Sequence, residues 1–109
     1  MADVDLANVN TVDLLQELTR RGGHLEALAE AGLLCVKKAE DYNAGTVSRD
    51  SYFPFGLQSY AQMIHTKSQR LISLCGKSTT ENFESARDTC LDMVNYAGFC
   101  ADWLKRAGK

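Results

Sequence analysis

Proline is almost absent from this chain, so long segments can form uninterrupted helices. The 109 residues include one proline, Pro54, and eight glycines. Proline removes a backbone donor and clashes with the preceding helical turn, and the chain largely avoids this. No apolar run approaches the roughly 20 residues of a membrane-spanning helix. The first ten residues, MADVDLANVN, lack the basic start and apolar centre of a secretory signal, so we expect a cytoplasmic protein.

Excess charge of either sign is also missing. Twelve Lys and Arg stand against 14 Asp and Glu, giving a formal net charge of −2. This balance argues against a surface for polymeric nucleic acid, which needs clustered basic charge. The sequence has no Walker A loop, no GxGxxG and no GxSxG motif. None of these well-marked enzyme classes is therefore indicated.

Cysteine pairs of the metal-binding kind are absent as well. The four cysteines form no CxxC pair, and His24 and His65 do not stand at zinc-ligand spacing to them. Each cysteine falls in an apolar helical pattern, where a thiol behaves as a small hydrophobic group. We therefore predict reduced core thiols at Cys35, Cys75, Cys90 and Cys100.

What is present is helical periodicity. Apolar residues recur at helical spacing from residue 12 to residue 104. At this length we expect one domain over residues 1–109, with residues 1–10 frayed and a core over residues 24–104. The sequence predicts an all-α, four-helix bundle-like fold. Its predicted helices cover residues 11–21, 24–42, about 55–75 and 81–104.

Capping residues and a loop separate these helices. Asn10 or Thr11 is expected to cap the first helix, and Ser78 with Glu81 the last. The segment over residues 43–54 is a predicted loop with an aromatic pair, Tyr52 and Phe53. That pair is either an anchor into the core or a platform on which a base stacks.

The last predicted helix carries a row of acids. Glu84, Asp88 and Asp92 are four residues apart and share one helical face, and Asn95 falls near the same azimuth. Apolar residues border this row on both sides. Carboxylates so placed suit a divalent metal such as Mg²⁺, which takes oxygen ligands. The alternative is a solvated or ion-paired row, balanced by Arg87 or by Lys67 and Arg70 of the preceding helix.

The second half of the same helix is apolar on two sides. Val94, Ala97, Ala101 and Leu104 lie on one side, and Tyr96, Phe99, Cys100 and Trp103 on the other. Four helices cover one such side more easily than two. We therefore predict a homo-oligomer.

Three short motifs carry a resemblance to a known group of proteins. They are K-x-x-D-Y over residues 38–42, K-x-x-R over residues 67–70, and E-x-x-x-D-x-x-x-D-x-x-N-Y over residues 84–96. With these motifs the chain resembles the small nucleotide-modification-associated proteins of phages and bacteria, and through them the all-α MazG and dimeric dUTPase-like nucleoside triphosphate pyrophosphohydrolases. The resemblance implies an oligomeric helical bundle that hydrolyses a nucleoside triphosphate to monophosphate and pyrophosphate with Mg²⁺. If the chain is phage-encoded, the resemblance also implies that the protein is located in the cytoplasm of the bacterial host.

The resemblance assigns roles to individual residues. It implies Mg²⁺ ligands at Asp41, Glu84, Asp88 and Asp92, catalytic roles for Glu84 and Asp88, phosphate binding by Lys38, Lys67 and Arg70, and contact with the base or sugar by Tyr42 and Asn95. Two alternatives stay open. One is a phage protein that sequesters a nucleotide or cyclic nucleotide without hydrolysis. The other is a helical interaction module.

Overall fold

The computed structural model contains four α-helices and confirms the all-α fold. It describes residues 10–42, 49–76 and 80–108, with side chains described over 10–38, 51–76 and 84–108. The helices are α1 (Thr11–Arg21), α2 (Gly23–Tyr42), α3 (Leu57–Leu74) and α4 (Thr80–Gly108), and a short 3-10 helix covers Arg49–Tyr52. These described ranges contain no strand. Within them, no helix is both long and apolar enough to cross a membrane.

The first helix begins and ends as the sequence predicts. The Asn10 side chain accepts a hydrogen bond from the backbone N–H of Asp13 at 2.8 Å, which satisfies one of the free donors of the first turn. At the other end, Gly22 adopts a φ of 74° and its N–H bonds to the Thr19 carbonyl. Helix α2 then starts at Gly23, one residue before the predicted start.

The last two helices differ from the prediction at their ends. Helix α3 is slightly shorter than expected, whereas α4 continues from the predicted Leu104 to Gly108. Lys105 and Arg106 in its last turn explain the extension, because both are good helix formers and their charge suits the helix C-terminus. The predicted cap at Ser78 with Glu81 lies outside the described side chains.

Helix α4 is the element on which the others assemble. α2 and α3 each pack on α4, and α1 packs on α2. Within the described residues, no other pair of helices brings its backbones within 8 Å. The α1–α2 contact is close at Gly32, where a Cβ atom would lie 3.0 Å from Leu15 Cδ2. The described helices therefore form an open, branched assembly in which one side of α4 contacts none of the other three.

An aromatic cluster joins α3 to α4. The Phe53 ring stacks on Tyr60 at 4.2 Å between centroids and meets Tyr96 edge-on at 6.0 Å, while Tyr96 meets Phe99 edge-on at 6.1 Å. Tyr60 is fully buried. The anchoring interpretation is thus right for Phe53 and wrong for its neighbour Tyr52, which is 56% exposed.

Gly56 lies at the end of the α3–α4 pair that carries the aromatic cluster. Its φ is 57°, a backbone conformation that favours glycine. A Cβ atom there would lie 2.5 Å from Cζ2 of Trp103, closer than atoms can approach. The turn before α3 therefore needs glycine both for its backbone and for the space against Trp103.

The cysteines are free, but not all belong to the core. Cys35 and Cys100 are half-buried, while Cys75 and Cys90 are exposed. The prediction of four core thiols is therefore wrong for the last two. Cys90 lies on the side of α4 that neither α2 nor α3 covers, which the apolar pattern alone could not distinguish from a core position.

Candidate functional site

Asp92 lies between two lysines where α2 and α3 approach α4. Its Oδ2 is 3.0 Å from Lys67 Nζ of α3, and its Oδ1 is 3.7 Å from Lys38 Nζ of α2. The Asp92 and Lys67 side chains are about one-quarter exposed, at 27% and 24%. Three helices thus contribute one charge each to a cluster, which we call the lysine–aspartate cluster.

This cluster carries one more positive than negative charge. Two ammonium groups face a single carboxylate, so the carboxylate neutralises only half of the local positive charge. Partly exposed ion pairs of this kind stabilise a fold by about 1 kcal/mol or less each. Their geometry therefore matters more for what the lysines can bind than for how firmly they hold the helices together.

Arg70 extends the basic side of α3. It is exposed and follows Lys67 by three residues, so both side chains lie on the same side of the helix. Of the three residues assigned to phosphate binding, the structure brings Lys38 and Lys67 together around Asp92. It places Arg70 one helical turn away from Lys67, with no described contact to the cluster.

Glu84 and Asp88 precede Asp92 on α4 by two turns and one turn. Both are exposed, and no described residue forms a salt bridge with either. Among the described residues, no group of three or more His, Cys, Asp or Glu side chains comes close enough together to hold a metal ion. The side chain of the fourth assigned ligand, Asp41, lies outside the described part of the chain. The Mg²⁺ site therefore stays a prediction.

Arg87 forms a two-pronged ion pair between α4 and α2. Its Nη1 donates to Glu30 Oε1 at 2.9 Å, and its Nη2 donates to Glu30 Oε2 at 2.5 Å. The hydrogen bond from Arg87 lowers the pKa of Glu30, and the same bond raises the pKa of Arg87. The suggestion that Arg87 balances Glu84 is wrong, because Arg87 turns toward the facing helix.

Asn95 forms a second contact between α4 and α2. Its Nδ2 donates to the backbone carbonyl of Ala31 at 2.9 Å, and Ala31 is fully buried. A residue expected to contact a base or sugar thus has one amide N–H committed to the fold. Its assigned role stays a prediction, and so does that of Tyr42, whose side chain lies outside the described residues.

Sequence reasoning missed the Glu30–Arg87 pair and the joining of Lys38 to Asp92. Helical spacing reveals neighbours within a helix, whereas these contacts join residues far apart in the chain. The available signal was weak: Glu30 and Lys38 are eight residues apart on α2 and so share a face.

No protein-family model, no curated protein and no solved structure matches this chain.

Proposed function

We propose that the chain binds the phosphate groups of a nucleotide at the lysine–aspartate cluster. The observation that carries this proposal is the pairing of Lys38 and Lys67, from two different helices, on the single carboxylate of Asp92. A phosphate oxygen carries the same kind of charge as the carboxylate and accepts the same hydrogen bonds. A phosphate group can therefore take the place of Asp92 between the two ammonium groups.

Lys38, Lys67 and Arg70 favour a ligand with several negative charges, and Glu84 and Asp88 on the Asp92 face of α4 offset part of their charge. Lys38 and Lys67 exceed Asp92 by one positive charge, and Arg70 adds another one turn along α3. Lysine binds phosphate as a point charge, whereas the planar arginine group binds two oxygens at once. A chain of phosphate groups can contact the cluster and Arg70 together, because Arg70 follows Lys67 by three residues on the same side of α3. The proposal is therefore a nucleoside di- or triphosphate.

The second candidate is the Mg²⁺-dependent pyrophosphohydrolase that the resemblance implies. The observation that favours it is the exposure of Glu84 and Asp88 on the α4 face that also carries Asp92. When bound, Mg²⁺ supplies charge neutralisation at the phosphates and polarises water. Glu84 and Asp88 would hold the ion with Asp92 and Asp41, and a carboxylate that is free of metal would accept the proton of the attacking water. Without turnover, the same residues give a nucleotide-sequestering protein.

A binding titration tests the first candidate. The purified chain is titrated calorimetrically with the common nucleoside triphosphates, with Mg²⁺ and again with a chelator. Lys67→Met removes the charge that lies 3.0 Å from Asp92 and keeps the apolar stem. A lost charge-assisted hydrogen bond of about 1.5–3 kcal/mol weakens binding roughly 10- to 100-fold. Lys105→Met, an exposed lysine in the last turn of α4, makes the same change away from the cluster and is expected to bind normally.

Release of pyrophosphate from the same samples separates the two candidates. Binding that survives the chelator, with no pyrophosphate formed, supports the sequestering protein. Pyrophosphate formed only with Mg²⁺, and lost in Glu84→Gln, supports the hydrolase. Equal affinities of the Lys67→Met and Lys105→Met proteins, or no binding at all, would contradict the proposed site and leave the interaction module as the remaining function. The homo-oligomer predicted from the two apolar sides of α4 also belongs to this proposal.

A further inference from the structure

Helices α2 and α3 both pack on α4 but not on each other. Among the described residues, no Cα atom of α2 lies within 8 Å of a Cα atom of α3. A cleft therefore runs along α4 between them. Lys38 and Lys67 reach into this cleft from its two sides and meet at Asp92, so the lysine–aspartate cluster lies on its floor. The rest of a ligand held at the cluster has to follow the cleft in one direction or the other.

Phe99 continues the floor of the cleft along α4. It follows Asp92 by seven residues, or two helical turns, so the two side chains leave α4 in nearly the same direction. Because Asp92 contacts both flanking helices, this direction points between them. The Phe99 ring is half-buried and meets Tyr96 edge-on at 6.1 Å. Part of an aromatic ring is thus open to the cleft, about 10 Å along α4 from the cluster.

Met63 of α3 lies beside this ring. Helices α3 and α4 run antiparallel, because the turn before α3 packs on Trp103 near the end of α4 whereas Lys67 pairs with Asp92 in mid-helix. With this register, Met63 is level with residues 95–99 of α4. It is half-buried and precedes Lys67 by four residues, so it lies on the same face of α3. Its flexible, polarisable thioether side chain suits contact with a flat ring.

Helix α2 supplies the facing wall. Cys35 is half-buried and precedes Lys38 by three residues, so it lies on the cleft side of α2. Where α2 meets α4, the Asn95 amide donates to the Ala31 carbonyl at 2.9 Å, which commits one of its N–H groups. Beyond the cluster, the described lining of the cleft is therefore mainly apolar. It offers surface for packing more than free donors for hydrogen bonds.

We infer that this apolar part of the cleft, between Met63 and Phe99, holds the base of the nucleotide. The inference rests on the proposed function, because the phosphate groups fix the ligand at the cluster. Arg70 and Met63 lie on opposite sides of Lys67 along α3, three residues after it and four before it. A ligand whose phosphate chain extends toward Arg70 therefore carries its nucleoside toward Met63. The ribose occupies the interval of about 10 Å between the cluster and Phe99.

A base held by ring contact is recognised by its flat surface rather than by its edge. Stacking of a base on an aromatic side chain strengthens binding roughly 5- to 150-fold and accepts every base, because every base has a π-face. The ligand class is therefore nucleoside triphosphates in general, with purines ahead of pyrimidines because they cover more of the ring. The resemblance assigns contact with the base or sugar to Tyr42 and Asn95, and the cleft adds Met63 and Phe99.

Calorimetric titration in chelator with two kinds of ligand tests the base site. Four ribonucleoside triphosphates carry base and phosphates, whereas inorganic tripolyphosphate carries the phosphates alone. Met63→Ala and Phe99→Leu are each expected to weaken nucleotide binding roughly 5- to 30-fold and to leave tripolyphosphate binding unchanged. Met93→Ala is the matched control. Met93 is also half-buried, but it follows Asp92 directly and so points about 100° away from it around α4, and its replacement is expected to change neither affinity.

The outcomes separate this inference from the proposal on which it rests. The two variants lie on different helices, and circular dichroism checks the helix content of each. Nucleotide affinity that falls in neither variant, while Lys67→Met still weakens tripolyphosphate binding, overturns the base site alone. One base that binds more than 100-fold tighter than the other three overturns recognition by ring contact. Tripolyphosphate and nucleotides that do not bind, or that bind Lys67→Met as tightly as the wild type, overturn the phosphate site and the base site together.

Discussion

Replacing Asp92 with asparagine removes the one negative charge that lies between Lys38 and Lys67. The side chain keeps its size, so the packing around α4 is preserved and the electrostatic effect is isolated. Two consequences are expected in opposite directions. The fold loses stability, because two ammonium groups then face each other without a counter-charge. The site gains affinity for phosphate, because its internal competitor is gone.

The magnitudes follow from the geometry. The Lys67 contact at 3.0 Å is a charge-assisted hydrogen bond with partners about three-quarters buried, and the Lys38 contact at 3.7 Å is a looser pair with a 55% exposed lysine. Solvent-exposed pairs contribute about 0.2–1 kcal/mol each, and partial burial raises the first toward the upper end. We expect Asp92→Asn to cost about 1–2 kcal/mol of unfolding free energy. Because phosphate no longer has to displace the Asp92 carboxylate from the two lysines, the same free energy corresponds to roughly 5- to 30-fold tighter phosphate binding.

Urea unfolding followed by circular dichroism measures the first effect, and titration with a nucleoside triphosphate in chelator measures the second. Both are run at low salt and at high salt, because ions screen partly exposed pairs. Asp102→Asn is the matched control. It makes the same change on α4 at an exposed carboxylate whose ion pair to Arg106 is 3.1 Å long, and it is expected to alter neither quantity by much.

Two results would refute this reasoning. A loss of 3–5 kcal/mol would mean that Asp92 is a fully desolvated partner, contrary to its 27% exposure. Unchanged or weaker phosphate binding in chelator would mean that Asp92 does not compete with the ligand. If binding falls only when Mg²⁺ is present, Asp92 acts as a metal ligand, as the resemblance implies.

Three further predictions concern the rest of the fold. Gly56→Ala should lower the free energy of unfolding by about 2–4 kcal/mol and shift the fluorescence of Trp103, the single tryptophan, because the φ of residue 56 is positive and the added Cβ would overlap the Trp103 ring. The control Gly98→Ala adds a Cβ that meets no atom, so its stability should be unchanged or higher. The lowered pKa of Glu30 means that its ion pair stabilises the fold above about pH 4.3 and that this stabilisation is lost as pH falls through the lowered pKa. Between pH 7 and pH 3 the urea midpoint should therefore fall less in Glu30→Gln than in the wild type, and midpoints that fall in parallel would contradict this. Asp88→Asn should leave the free energy of unfolding unchanged or raise it by up to about 0.5 kcal/mol, because carboxylates one turn away repel the Asp88 carboxylate. A fall of more than about 1 kcal/mol in thermal melts would contradict this and show that Asp88 has a stabilising partner.

The local features of this fold could be predicted from sequence, because they depend on residues close in the chain. Asn10 caps α1, glycine ends it, and four helices form where apolar spacing indicates them. Helix ends depend on weaker local signals: α4 continues four residues past the predicted Leu104 because nothing before Gly108 breaks it. The exposure of Cys75 and Cys90 could not be predicted, since periodicity shows that a face is apolar and not what covers it.

The candidate site was partly predictable for the same reason. The sequence offers Lys67 as a counter-charge to the acids of α4, and the structure places its Nζ 3.0 Å from Asp92 Oδ2. Spacing along α4 predicts a partner for Arg87 within its own helix, whereas the structure pairs Arg87 with Glu30 on α2. Spacing along one helix cannot show which way a long side chain turns when a second helix lies beside it. Contacts between helices decide the electrostatics of this site, and they follow from packing.

Helix α1 packs on α2 and on no other described helix, and it contains no buried residue. Gly22 and Gly23, both with positive φ, join the two helices. Detaching α1 therefore leaves the α2–α4–α3 contacts intact, and the cost of that opening is set by a few side chains around Leu15 and Gly32. Its amide protons are expected to exchange with solvent through this local opening, well before those of α4, which exchange only when the whole assembly unfolds. The described helices thus have two levels of cooperativity, and detaching α1 opens the junction at Gly22 and Gly23 to proteases.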